Sequence, residues 1–551
     1  MKRWIWLVLL TLLVANGLLL VNDFVYWDGL LMAARWTSGD HEQFRHGFVV
    51  SGVAPAYYAH ALLGSVPGFP IAHKVAAFAS VGVTAIAFRW LLLRTGKLTD
   101  NEASFAGGIF LVAPALDTFI DIVMTHYAVC VGCFAVGAVL LVVAKDTQRA
   151  LSTRVVARAA ACLLLAFSFT IRSLLVLHFA LLAYLFFLAE ELRPFDTLPR
   201  RLFAFARGHV DLLLLPFAFW MLSELLTPRV GSYATYNAIK PSPRAALSGA
   251  RLFLVSTLYH GPKNIVLVLV RHPLASLAPL GFAGLSFLAF RREAAAPARE
   301  ELVAPAGEGL LDRSPVAGLG LAGLALAFVG AFPYMAIGTG PTMVGWATRH
   351  GLMVPFGAGL CLVAAGRFLA HRSGRPLVAS LFFGLVLGGA AARSLDAQID
   401  WLARGAKDRG IVAHLRAMPE PPPGIFHVED RFPLGGEPTY RFYEWATWSA
   451  QAWGSVSHAA FEERAFAADL ATNRQFFNKE YNAGRVPPDG GCAQRIEIVA
   501  NPALARPVAL AARYLVDRFT GTPTLAQQQA YVGFTMTPDK AHDAPSCAVT
   551  P

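Results

Sequence analysis

The chain has 551 residues, of which 55% are apolar and only 15% charged, and its mean hydropathy is +0.49. Soluble proteins carry roughly 25% charged residues, so this balance excludes a disordered tail, a coiled coil and a secreted disulfide scaffold, and points to an integral membrane protein. The excess of 47 Lys and Arg over 36 Asp and Glu does not call for nucleic acid, because basic loops facing an anionic cytoplasmic leaflet account for it.

A bilayer core about 30 Å thick asks for roughly 20 apolar residues per crossing, with about 17 as a minimum. That criterion predicts eleven spans, near 4–22, 75–93, 104–120, 126–144, 155–171, 174–189, 212–227, 264–290, 316–337, 352–370 and 377–393. The first follows Met1-Lys2-Arg3, and Val21-Asn22-Asp23 behind it offers no small-residue cleavage site, so it reads as a retained anchor. With a cytoplasmic N-terminus, the inside loops hold Arg94/Lys97, Lys145/Arg149/Arg154, Arg193/Arg200/Arg201/Arg207, Arg291/Arg292/Arg299/Arg313 and Arg372/Arg375. Every one is basic, as the positive-inside rule requires. The outer side then receives loops 23–73 and 228–263, the link near 117–126, Arg172-Ser173, residues 338–351 and the whole tail from 394. The pairs 104–120/126–144 and 155–171/174–189 each also read as one long helix bent in the middle.

Cys130, Cys133, Cys162 and Cys361 fall inside apolar spans, where a thiol is usually a small packing residue. Cys492 and Cys547 lie in the tail, and in an outer, disulfide-permissive compartment they are expected to pair. Residues 394–551 read as a separate extracytoplasmic domain behind a 1–393 membrane domain. Pro419 to Pro423 mark a stiff linker, strand-like runs follow at Ile425–Val428, Arg495–Val499 and Tyr531–Thr535, and 440–453 and 505–519 look helical. Phe442, Tyr443, Trp445, Trp448 and Trp453 suit either a core helix of this domain or a helix at the membrane interface.

Charges at the ends of membrane spans are costly and ask for individual explanations. Asp23 and Asp28 follow the first span directly, beside Tyr26 and Trp27. A carboxylate shielded from bulk water in such a setting suits a general base, while the plainer role is to cap the adjoining helices. Asp117, Asp121 and His126 at the outer end of the third span offer oxygen and nitrogen ligands for a divalent cation, or contacts to a substrate hydroxyl. Arg172, Lys240, Arg349 and His350 are outer-face groups that suit a lipid phosphate, since arginine presents a planar fork to phosphate; snorkelling to headgroups explains any one of them alone.

An inside N-terminus, a first span followed at once by acidic residues in a long outer loop, short paired helices and an outer soluble tail resemble the GT-C superfamily of membrane glycosyltransferases. The resemblance covers residues 1–393 as architecture. It implies an all-α polytopic bundle with a mixed α/β extracytoplasmic domain behind it, in a bacterial-type inner membrane. It implies transfer of a sugar from a polyprenyl-phosphate donor to a glycan, lipid or protein acceptor by inverting displacement, with a divalent cation optional. Asp23 or Asp28 matches the acidic base of the first outer loop, Asp117 or Asp121 the assisting acids, and Arg172 and Arg349 the phosphate-binding arginines. A transporter or flippase of a lipid-linked substrate and a non-catalytic scaffold are the competing classes, although the internal repeat usual in transporters is missing from the sequence. Labelling of single thiols at positions 51 and 455 tests the topology: both are expected to react from the non-cytoplasmic side, and opposite sides would mean a span count wrong by an odd number.

Overall fold

The computed structural model describes residues 3–171, 175, 197–226, 242–295, 315–343, 345–419, 424–432, 434, 448, 451–452, 459–463 and 492–538. Seven helices among them are long and apolar enough to cross a membrane, or eight if one bent pair counts as a single span. A small mixed sheet accompanies them, so the chain is an all-α polytopic membrane protein with a mixed α/β C-terminal part.

Two expected spans, 4–22 and 212–227, are shorter helices outside the seven: Arg3–Asn16 continued by Gly17–Val21, and Val210–Leu226 with 17 residues. Three others change in form. First, the segment near 264–290 is not one helix. A helix Pro243–Val255 passes through a π turn, Ser256–His260, into Gly261–Arg271, and the chain breaks at His272-Pro273 before Leu277–Ala295. Pro273 has no N–H to continue the ladder, and its ring disfavours helical backbone in the residue before it. The apolar helix Pro243–Arg271 therefore takes in the second half of the expected outer loop 228–263 and the start of the expected span 264–290. Second, the 104–120 region is the bent pair Asp100–Leu111 and Pro114–Ile120, with 49° between them, again at a proline. Third, the last span is longer than 377–393 and runs from Pro376 to Arg416, 41 residues, of which the stretch from residue 400 onward carries Asp400, Arg404, Lys407, Asp408 and Arg409. The helix expected at 174–189 lies outside the described residues.

The chain divides into two compact units. The first comprises Met1–Val21, His41–Phe119 and Met124–Asp396. Its buried charges are paired across long sequence distances. Glu102 closes a capping box with Thr99 at the start of Asp100–Leu111 and also accepts two hydrogen bonds from Arg367, at 2.6 and 2.7 Å. Asp117 meets Arg393 at 2.6 Å with both side chains buried. A carboxylate in that setting stays ionised only beside a cation, so each pair fixes two helices together.

The second unit comprises Asn22–Asp40, Ile120–Val123 and Ala397–Pro551. Its sheet has the order β2-β1-β3-β4, where β1 is Gly424–Asp430, β2 Ala459–Glu463, β3 Cys492–Ala500 and β4 Val532–Pro538. The β1 strand is parallel to both β2 and β3, while β4 is antiparallel to β3. Ile496 and Ile498 are buried and Glu497 between them is not, the alternation of a half-covered strand. Lys407, on the long helix, reaches Asp430 at the end of β1 and donates to the Phe432 carbonyl at 2.9 Å. The helix Pro507–Thr520 packs Leu510, Ala511 and Tyr514 inward. Cys492 opens β3 and Cys547 lies outside the described residues, as does most of the 440–453 segment.

Candidate active site

In the segment 22–29, behind the N-terminal apolar helix, five residues are buried and Asp23, Val25 and Asp28 are half-buried. Asn22 accepts from the Phe24 amide at 3.1 Å and donates to the Tyr26 hydroxyl at 3.2 Å, and Tyr26 donates in turn to the Trp401 carbonyl at 2.6 Å. Tyr26 and Trp27 both stand edge-on to the Trp401 ring, at 5.1 and 4.5 Å. Trp27 is fully buried and has a φ of 45°. A bulky residue in the left-handed region is strained, and such a conformation persists only where the surroundings impose it. The three rings impose it here, and the helix Trp27–Thr37 starts from that point with Asp28, half-buried, in its first turn.

Asp23 is held differently. Its Oδ1 accepts from the Tyr514 hydroxyl and lies 3.5 Å from Arg518, while its Oδ2 accepts from Arg409 at 3.3 Å. The Arg409 guanidinium covers the rings of Phe24 and Tyr514, 4.6 and 5.4 Å from their centres. Gly405 lies under Phe24 so closely that a Cβ there would collide with the ring. Burial by itself pushes the Asp23 carboxyl up, but the Arg409 charge, the Tyr514 hydrogen bond and Arg518 outweigh it and hold the group below its ordinary value of 3.8. Burial and the Asp23 charge raise Tyr514, which therefore keeps its proton and remains a donor. Behind this group Asp517 accepts from Arg513 at 2.9 Å and from Tyr531 at 3.0 Å, which fixes the helix Pro507–Thr520 to the start of β4.

The other sequence candidates are distributed over both units. Asp121 belongs to the second unit, where its carboxylate accepts from the amides of Val123 at 3.1 Å and Gly29 at 3.4 Å. It thus supports the helix that carries Asp28, with no room for a side chain at Gly29. Asp117 and His126 belong to the first unit, the former on Arg393 and the latter 3.2 Å from His60. The three do not form one ligand set, and among the described residues no group of three His, Cys, Asp or Glu is placed to hold a metal ion. Arg349 and His350 share the turn Trp346–Gly351; His350 stacks on Tyr334 at 4.2 Å, and burial, with the Arg349 charge, lowers it to about 4. Arg172 and Lys240 lie outside the described residues. The partners missed by sequence reasoning are Arg409, Tyr514 and Arg518 for Asp23 and Arg393 for Asp117. Arg393 and Arg409 carry a local signal, a cation in the last long helix where burial demands a counter-charge; Tyr514 and Arg518, on the helix Pro507–Thr520, carry none.

No protein-family model and no curated protein matches the chain. Among solved structures it is similar to ArnT from Cupriavidus metallidurans in the apo state, at 15% identity over 94% of each chain with a TM-score of 0.35. It is also similar to ArnT from the same organism bound to undecaprenyl phosphate, at 14% identity over 94% of this chain and 95% of that one, with a TM-score of 0.34.

Two outcomes follow from the site geometry. Gly29→Ala drives a methyl into Asp121 and Ile122, and should destabilise the second unit by about 1–3 kcal/mol in thermal unfolding; an unchanged transition would contradict the packing. Because the Asp23 value is depressed in the folded state, its contribution is present above the ordinary value of 3.8 and is lost as pH falls through the depressed one. The unfolding midpoints of the native protein and Asp23→Asn should therefore differ at neutral pH and converge as the pH falls below 3.8 and through the depressed value, whereas a gap independent of pH would contradict the ion pairing.

Proposed function

We propose that the protein is a GT-C-type glycosyltransferase that moves a sugar from a polyprenyl-phosphate carrier to an extracytoplasmic acceptor, with Asp28 as the general base. The observation that carries this reading is the strained Trp27, packed edge-on against Trp401, at the start of the helix bearing Asp28. Strain of this kind costs on the order of 1–3 kcal/mol and concentrates where a side chain must be aimed. Of the two acids in the first outer loop, Asp23 already holds two arginines and a tyrosine. A carboxylate so stabilised is a poor proton acceptor, and the base is assigned to Asp28 for its place in the first turn of the helix that starts at Trp27.

In the proposed reaction a carboxylate oxygen of Asp28 takes the proton of the acceptor hydroxyl as that oxygen attacks the anomeric carbon. The bond from this carbon to the carrier phosphate breaks, and the phosphate leaves with the electron pair. Attack opposite to the leaving group inverts the anomeric configuration. On the resemblance alone, Arg349 is proposed as a phosphate-binding residue, since its fork suits a phosphate better than an ammonium would. The described residues do not compose a metal site, and no step is routed through one. The donor face, and the acceptor with it, are placed on the non-cytoplasmic side of the plasma membrane, on the strength of the basic inside loops.

Asp28→Asn keeps the size of the side chain and removes the proton acceptor. Transfer from undecaprenyl-phosphate-linked sugars in membranes should fall roughly 10²–10⁴-fold with insertion and folding intact. Full activity of this variant would refute the assignment, and uptake of a lipid-linked substrate without transfer would favour a flippase.

A further inference from the structure

The proposed base accounts for Asp28 but leaves unused the polar cluster around Asp23 in the second unit. Asp23 and Asp28 belong to one short segment, 22–28, and every other member of the cluster is far away in sequence: Arg409 on the long helix, and Tyr514 and Arg518 four residues apart on the helix Pro507–Thr520. That spacing places Tyr514 and Arg518 on one helical face. We infer that Tyr514, Arg518 and Arg409 are positioning residues for the transfer reaction, holding Asp23 as a tether so that the Asn22–Trp27 turn presents Asp28 at a fixed angle. The inference rests on the reading of Asp28 as the base.

Three observations support it. First, the contacts on Asp23 come from two separate elements, with the hydroxyl on one oxygen and the Arg409 guanidinium on the other, so rotation of the carboxylate is blocked from both sides. Second, the same residues pack as well as bond. Phe24, next to Asp23, lies 4.6 Å from the Tyr514 ring, with Arg409 over both rings and no space at Gly405 for Phe24 to slide. Third, the helix that supplies Tyr514 and Arg518 is itself immobilised, since buried Asp517 ties it through Tyr531 to β4. A side chain aimed to within a fraction of an ångström needs such a supporting layer, because misplacement of about 1 Å can lower a rate by roughly 10²-fold. The C-terminal part of the chain thereby acquires a role in the reaction: it completes the support of an acidic loop that lies some 490 residues earlier.

The test uses the full-length protein in nanodiscs. Tyr514→Phe retains the ring against Phe24 and Arg409 and removes only the hydroxyl. It should lower kcat about tenfold or more while KM for an undecaprenyl-phosphate-linked sugar changes less than about threefold, because Tyr514 aims the base and does not touch the donor. Arg518→Ala should act in the same direction and Arg518→Lys should recover part of the loss. The double variant Asp23→Asn, Tyr514→Phe should be no worse than the poorer single variant, since both remove one tether. Arg506→Ala, on the exposed start of the same helix, should behave as the native protein. Native kcat in Tyr514→Phe, or losses that multiply in the double variant, would overturn the inference. Hydrogen exchange of the peptide covering 22–29 provides a readout independent of activity: Tyr514→Phe should speed it about tenfold and leave 71–94 unchanged. If the native protein transfers no sugar from any lipid-linked donor, the glycosyltransferase reading falls. In that case the exchange result still decides the tether, and unchanged exchange would overturn it.

Discussion

A half-buried carboxylate keeps its charge only if cations and donors replace the water it has lost, and Asp23 shows what that demand does to a chain. Its oxygens take a tyrosine hydroxyl and one arginine, with a second arginine close by, and these partners come from the end of the last long helix and from a helix near the C-terminus. Satisfying one acid thus brings three distant stretches of sequence into one compact unit. The aromatic layer beneath depends on the same arrangement, because Arg409 is both the counter-charge of Asp23 and the cover of Phe24 and Tyr514. Removing any one member exposes the others to an uncompensated charge, which is why buried pairs are costly to break.

The same rule organises the membrane unit. Asp117 with Arg393 and Glu102 with Arg367 each join helices more than 200 residues apart in sequence. Each pair sits where an apolar helix would otherwise carry a lone charge. Association of apolar helices in lipid gains little from hydrophobic burial, so such pairs and the close approaches at glycines supply the specificity. Gly357 against Ala327 and Gly384 against Ala283 are contacts that no larger residue permits.

The class of the protein was legible because it rests on composition. So were most of the spans, since a run of about 20 apolar residues is a one-dimensional signal. The strands β1, β3 and β4 and the helix Pro507–Thr520 were also legible from alternation and periodicity, whereas β2, Ala459–Glu463, carries Ala-Ala-Phe-Glu-Glu and no such pattern. The part of Pro243–Arg271 before residue 264 reads as loop because the helix has the lowest mean hydropathy of the seven candidate spans, diluted by Arg244, Arg251, His260 and Lys263. The site was legible in its acids and illegible in their partners. Asp23 and Asp28 stand out as charges behind a span, but nothing local assigns Tyr514 to one and Trp401 to the neighbourhood of the other. Pairings over hundreds of residues are set by the fold. The strain at Trp27 likewise leaves no mark on the sequence, which holds an ordinary Tyr-Trp-Asp.

The central claim is a single in-line displacement from a lipid-linked sugar, and the configuration of the product at its anomeric carbon tests it most directly. Purified protein in lipid nanodiscs, given an undecaprenyl-phosphate-linked sugar and a membrane extract as acceptor source, should yield a glycoside whose anomeric configuration, read from its proton coupling constant by nuclear magnetic resonance, is opposite to that of the donor. A product with retained configuration would contradict the displacement, and a donor recovered intact with every carrier-linked sugar tried would contradict the transferase itself.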